Sequence, residues 1–305
     1  MDRYHVYSTD DMRHFRDEGE ILRSDDLPWG RPEGGFMWAP DCRAVRDGKY
    51  YFFYPHPDGS RWNDTWKIGV CVSESPASGF RDLGFVEGIG GFCMIDPSIF
   101  IDDDGTNYLY YGGGGMSRAV ILEDDMKAVR EGRVYDIEGL EDFHEAPYVF
   151  KRNGLYYMTY SDNLPGRNRM HYATAKHPLG PFTHRGVYLE LTGSDTSHGS
   201  VVEYQGRWYC FYHTCARSGR GTLRSVCADE LFFEEDGSIR TVIQKGLPYE
   251  DDAYDLSPFP ALRPDMSIRD EHMPVLTESG SAVLEEGRRL SYTKLDGGKG
   301  GRVSL

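Results

Sequence analysis

The six cysteines (Cys42, Cys71, Cys93, Cys210, Cys215 and Cys227) contain no Cys-x-x-Cys pair and no cysteine–histidine cluster at zinc-ligand spacing. That excludes a zinc ribbon and a thioredoxin-type redox centre, and the thiols read as free groups within strands. Apolar runs are short, and none approaches the ~18 residues of a membrane span. The opening Met1-Asp2-Arg3-Tyr4-His5 carries no apolar signal-peptide core. Long helical periodicity is nearly missing as well, which removes helical bundles and doubly wound folds. Positive charge is scarce: 34 basic residues stand against 49 acidic ones, for a net charge of −15. Nucleic acid and anionic membrane are therefore poor partners.

Aromatics and glycine are plentiful. Hydrophobic residues make up 39% of the chain and aromatics 13%, with 36 glycines. This is the composition of a folded β-protein rich in tight turns. An acidic surface bearing many tyrosines suits a neutral polar ligand such as a sugar, although solubility alone accounts for the acidity equally well.

Short strands follow a repeated order: an opening segment, a turn with glycine, a tyrosine-rich strand, then two more strands. The stretch from Glu145 through Asn153-Gly154 to Tyr160 is the clearest case. Trp38, Asp96 and His198 open equivalent units, each followed by Asp47-Gly48, Gly105 or Gln205-Gly206 and an aromatic strand. A period of roughly 50 residues with four strands per unit is the signature of a β-propeller. Four units read as complete. Residues 4–22 match only the outer half of another, so the expected fold is an all-β, five-bladed propeller whose first blade is incomplete, its inner strands lying before Met1. The expected divisions are a propeller over 1–246, a closing segment over 247–275, and the start of a second β-domain over 276–305.

Innermost strands of a propeller face its axis, so Trp38, Asp96, Glu145 and His198 are expected to share one pocket. Two carboxyls in an aromatic-lined pocket suit glycoside hydrolysis, in which a protonated acid serves the leaving oxygen and a neighbouring negative charge keeps it protonated.

The runs Trp38-Ala39-Pro40-Asp41, Asp96-Pro97-Ser98-Ile99-Phe100, Glu145-Ala146-Pro147 and His198-Gly199-Ser200 resemble, in order and spacing, glycoside hydrolase family 43. That resemblance implies a five-bladed propeller acting with inversion on β-xylosides and α-L-arabinofuranosides, on plant polysaccharide or its oligomers, with no required cofactor. It implies Glu145 as general acid, Asp96 as the aspartate that tunes and orients it, Arg224 as a substrate contact and Trp38 as a wall of the sugar subsite. His198 falls where the family has a pore histidine, in places near a structural calcium. The family's general base belongs to the inner strand of the first blade. Asp10, Asp11 and Asp41 do not read as substitutes, so this chain is expected to catalyse poorly.

A non-catalytic carbohydrate-binding propeller is the rival reading, and a related fold acting on fructans stays open. Trp62 and Trp66 read as sugar-stacking or as packing residues. The compartment is not legible, nor is the sugar, endo or exo action, or the oligomeric state.

Overall fold

The computed structural model describes residues 2–59, 65–162 and 168–244, together with the short strands Val275–Leu276, Ala282–Val283, Leu290–Tyr292 and Gly301–Val303. The remainder of the expected closing segment and second β-domain, like Trp62, lies outside the described residues.

Three sheets have four antiparallel strands each. The first comprises β3 (Asp41–Arg46), β4 (Lys49–Pro57), β5 (Trp66–Ser73) and β6 (Arg81–Phe85). The second comprises β7 (Ser98–Ile101), β8 (Asn107–Tyr111), β9 (Arg118–Leu122) and β10 (Val129–Asp136), and the third β11 (Glu145–Arg152), β12 (Leu155–Ser161), β13 (Met170–Ala175) and β14 (Thr183–Leu189). A fourth sheet has three strands among the described residues, β15 (Ser200–Tyr204), β16 (Arg207–Thr214) and β17 (Ser225–Leu231). The four expected units are therefore present as four blades, the last with three strands among the described residues, followed by an isolated bridge of Phe233 with Ile239.

The inner hairpins owe their register to their turns. Asp47-Gly48, Asn153-Gly154 and Gln205-Gly206 all have positive φ at both positions (51° and 73°, 50° and 77°, 51° and 76°). This is the I′ geometry whose twist matches paired strands, and it favours glycine at the second position.

Successive sheets stack radially, because alternate residues of each strand enter different clusters. Phe53, Ile68 and Val70 pack on Ile99, Leu109 and Val120 of the next sheet. The opposite face of that sheet, Phe100, Tyr108 and Tyr110, packs on Val149, Tyr156 and Met158. Tyr148, Phe150 and Tyr157 then meet Val201, Cys210 and Tyr212. Burying one such large side chain stabilises the fold by about 1.5–3 kcal/mol.

Inner strands are also latched to one another. Asp41 accepts from the Ile99 N–H at 2.8 Å, and Arg43 donates to the Ile99 carbonyl at 3.1 and 2.6 Å. Val149 N–H donates to Ser98 Oγ at 3.3 Å, and the Tyr148 hydroxyl donates to the Val201 carbonyl at 2.9 Å. The Asp41 carboxylate is thereby spent on holding β3 to β7.

The N-terminal pair, β1 (Arg3–Ser8) and β2 (Arg16–Arg23), spans between the first and last of these sheets. Tyr4 packs edge-on to Phe52 at 5.1 Å and donates its hydroxyl to the Trp38 carbonyl at 2.6 Å. At the other end, Met12 joins Tyr209 and Ala228, and Tyr204 donates to the Asp10 carbonyl at 2.7 Å. Asp11 is occupied there in a turn, accepting from the N–H groups of Arg13 and His14 at 2.8 Å each.

On the faces turned toward this pair, apolar residues stay uncovered. Val202 and Val226 share a face with Tyr209 and Phe211, and Val45 shares one with Phe52 and Tyr54, by ladder register. They are 40%, 75% and 53% exposed. Among the described residues no hydrogen bond joins β15 to β3, whereas the other consecutive inner strands are all latched.

Candidate active site

The functional candidates stand at the starts of inner strands, at one rim of the ring. Glu145 is the first residue of β11; Trp38, Asp96 and His198 lie in the segments just ahead of β3, β7 and β15, instead of within those strands.

Local backbone brings the two carboxyls together. Asp96 and Ala146 both have left-handed backbones, with φ of 54° and 61°, a conformation that costs a non-glycine residue roughly 1–2 kcal/mol. Strain of this kind persists where surrounding contacts impose it, commonly at functional sites. Here the contact is the Ala146 N–H, which donates to Asp96 Oδ2 at 3.0 Å. Between Glu145 and Tyr148 the ladder with β12 slips register, so Glu145 is set off from the regular strand that follows it.

Asp96 is 5% exposed. Burial, then the charge of Glu145, pushes its carboxyl well above the ordinary carboxylate range; the Ala146 N–H and the Arg224 charge pull it down. The charge of Glu145 thus favours the protonated form of Asp96. The Glu145 side chain keeps 19% exposure, with His144 Nε2 at 4.0 Å.

His198 Nδ1 lies 3.8 Å from Asp96 Oδ2, beyond hydrogen-bond reach. Burial first, then His213 and Arg224, holds its pKa down to about 3, so the ring is neutral at physiological pH. The Arg224 side chain, in the segment leading into β17, donates to Thr196 Oγ1 at 2.6 Å and lies 3.5 Å from His213 Nε2. Trp38 packs at a tilt against Trp66 at 4.5 Å and Phe36 at 6.0 Å. Trp66 is itself a core residue, 2% exposed, which settles it as packing.

The surroundings of His198 do not fit a protein-ligated calcium ion. Calcium takes about 6–8 oxygen ligands, and here one carboxylate stands among two imidazoles and a guanidinium. Among the described residues, no three His, Cys, Asp or Glu are grouped to hold a metal. All six cysteines are free thiols.

His213 was not legible as a site residue, because its strand reads as one more aromatic core strand. The available signal was register: it follows Tyr209 and Phe211 on one face and is the penultimate residue of β16, near the functional rim. Gly199, beside His198, is needed for close approach. A Cβ there would lie 2.8 Å from the Phe211 carbonyl and 3.3 Å from the Tyr188 hydroxyl. Gly199→Ala is expected to destabilise the fold by about 1–3 kcal/mol through overpacking, read as a lowered Tm by circular dichroism.

With this geometry established, comparison with known proteins is informative. The profile described as Glycosyl hydrolases family 43 matches residues 1–239. A xylosidase/arabinosidase of Bacteroides ovatus is 34% identical over 284 residues, covering 79% of this chain and 84% of the relative. Xylosidase/arabinosidase 43A of Humicola insolens is 35% identical over 293 residues, covering 79% and 85%. Among solved structures, a beta-xylosidase/alpha-arabinofuranosidase from a compost metagenome, in complex with xylotriose and in calcium-free form, superposes with a TM-score of 0.71 at 34% identity, covering 79% of this chain and 83% of that one.

Proposed function

The chain belongs to glycosyl hydrolases family 43, and on that premise we propose that it hydrolyses xylose- or arabinose-containing oligosaccharides and polysaccharides with inversion, Glu145 acting as general acid. The observation that carries this reading is the buried Asp96 carboxyl, held by the Ala146 N–H beside the charge of the half-buried Glu145. A sugar seated over Glu145 covers its remaining exposure, and desolvation then favours the proton on Glu145. Asp96, facing Arg224 and the backbone donor, takes the negative charge. Trp38 walls the sugar, and His198 and Arg224 contact its hydroxyls as neutral acceptor and cationic donor. Relatives named for xylosidase and arabinosidase activity, and a similar structure holding xylotriose, support this substrate class.

Inversion also needs a base about 6.5–9.5 Å from the acid, to activate water on the far face of the sugar. Among the described residues, the charges that shift Asp96 are those of Glu145 and Arg224. The uncovered valines between β15 and β3 support a fifth-blade position, taking two further inner strands, one of which carries that base. Residues 1–305 alone are then expected to turn over about 10²–10⁴-fold more slowly than a chain with the gap filled.

Proton NMR of xylotriose hydrolysis, followed from the first turnovers, tests the mechanism. The expected initial product is the α-anomer from a β-xyloside. An initial β-anomer would replace inversion by a covalent intermediate and sink this assignment.

A further inference from the structure

Arg224 is a long side chain in an exposed segment, and left alone it would sample many rotamers. Two contacts restrain it, and the one from His213 has a consequence for tautomer. A guanidinium only donates, so His213 Nε2 at 3.5 Å must be the acceptor. The ring proton therefore sits on Nδ1, which lies 3.2 Å from Ser194 Oγ and donates to it. Ser194 is 3% exposed, and its carbonyl accepts from Asn168 Nδ2 at 2.9 Å. The imidazole is thus fixed from behind by a buried serine and offers a lone pair to the arginine in front. Thr196 holds the same Nη1 at 2.6 Å.

We propose that His213 is a positioning residue for substrate recognition: a neutral, Nδ1-protonated imidazole, locked by Ser194, that aims the Arg224 guanidinium at the sugar beside Asp96 and His198. This rests on the glycosidase reading of the pocket and adds to it how a flexible arginine becomes a fixed donor. The charged and titratable groups facing His213 are Arg224 and His198, with Asp96 beyond them, and protonating His213 would set a second cation against the guanidinium. Burial and the Arg224 charge oppose that, holding its pKa down to about 4.

A double-mutant cycle on the 305-residue chain tests the inference, with xylotriose affinity read by calorimetry and Tm recorded for every variant. His213→Leu is expected to weaken binding about tenfold, a charge-assisted hydrogen bond being worth roughly that or more. His213→Gln, which keeps an acceptor oxygen, restores affinity to within about threefold. In an Arg224→Ala background, His213→Leu adds less than about twofold, because its effect runs through the arginine. Additive losses with a matching fall in Tm would make His213 a merely structural residue and overturn the proposal. Unchanged binding in His213→Leu would also overturn it. If the unmutated chain binds no xylotriose, the pentoside reading itself fails and this inference falls with it.

Discussion

Glu145→Gln is expected to lower kcat on xylotriose by about 10²–10⁴-fold relative to the unmutated chain, with KM changed by less than about threefold. The carboxamide has the same shape as the acid and has no proton to give. A xylose leaving group departs as an alkoxide unless it is protonated, so losing the acid is felt in the transition state and little in binding. Dinitrophenyl xyloside provides the contrast, since its leaving group departs without protonation. On that substrate the loss should shrink to about tenfold or less. Equal losses on both substrates would assign Glu145 to orientation of the sugar instead of proton donation.

Asp96→Asn is expected to make the protein more stable at pH 7 and much less active. The folded-state pKa of Asp96 is raised above that of the unfolded chain, by burial and by Glu145. The folded form therefore holds the proton more tightly, and stability falls as pH rises from about 4 toward the raised pKa. Asparagine removes this penalty while its carbonyl still accepts from the Ala146 N–H. The variant should melt a few degrees higher at pH 7, about 2–4 °C for each kcal/mol at this size, and the advantage should vanish near pH 4. kcat should fall by about 10²-fold or more, because the charge that holds the proton on Glu145 is gone. A variant less stable at both pH values would show that Arg224 and the backbone donor outweigh burial.

The architecture was legible wherever one residue choice had one physical outcome. Asn153-Gly154 predicts a tight hairpin because few other pairs accept two positive φ angles, and the chain turns there. The aromatic strands predict burial on both faces, and Tyr110, Tyr157 and Tyr160 are all buried. The roughly 50-residue spacing placed Trp38, Asp96, Glu145 and His198 at one rim, because each precedes or opens an inner strand. Asp41, which did not read as a catalytic candidate, accepts from the Ile99 N–H in the structure.

What stayed hidden depended on contacts between distant segments. The left-handed turns at Asp96 and Ala146 are imposed by a hydrogen bond across 50 positions, and no local propensity announces them. His213 sits in a strand whose neighbours are aromatic core, and only its diagonal relation to Arg224 gives it a different task. That the exposed Val45, Val202 and Val226 share a face with aromatic residues follows only once the register of each strand is known.

The most direct test of the central claim is hydrolysis of nitrophenyl β-xyloside and nitrophenyl α-arabinofuranoside by residues 1–305, beside a version extended upstream from its genomic DNA, each with and without Glu145→Gln. The prediction is slow turnover by residues 1–305, fast turnover by the extended protein, and collapse of the fast rate in Glu145→Gln. Turnover that survives Glu145→Gln in the extended protein would contradict the assignment of the acid. Fast, Glu145-dependent turnover by residues 1–305 would mean that a residue within this stretch already supplies the base, and would contradict the fifth-blade account.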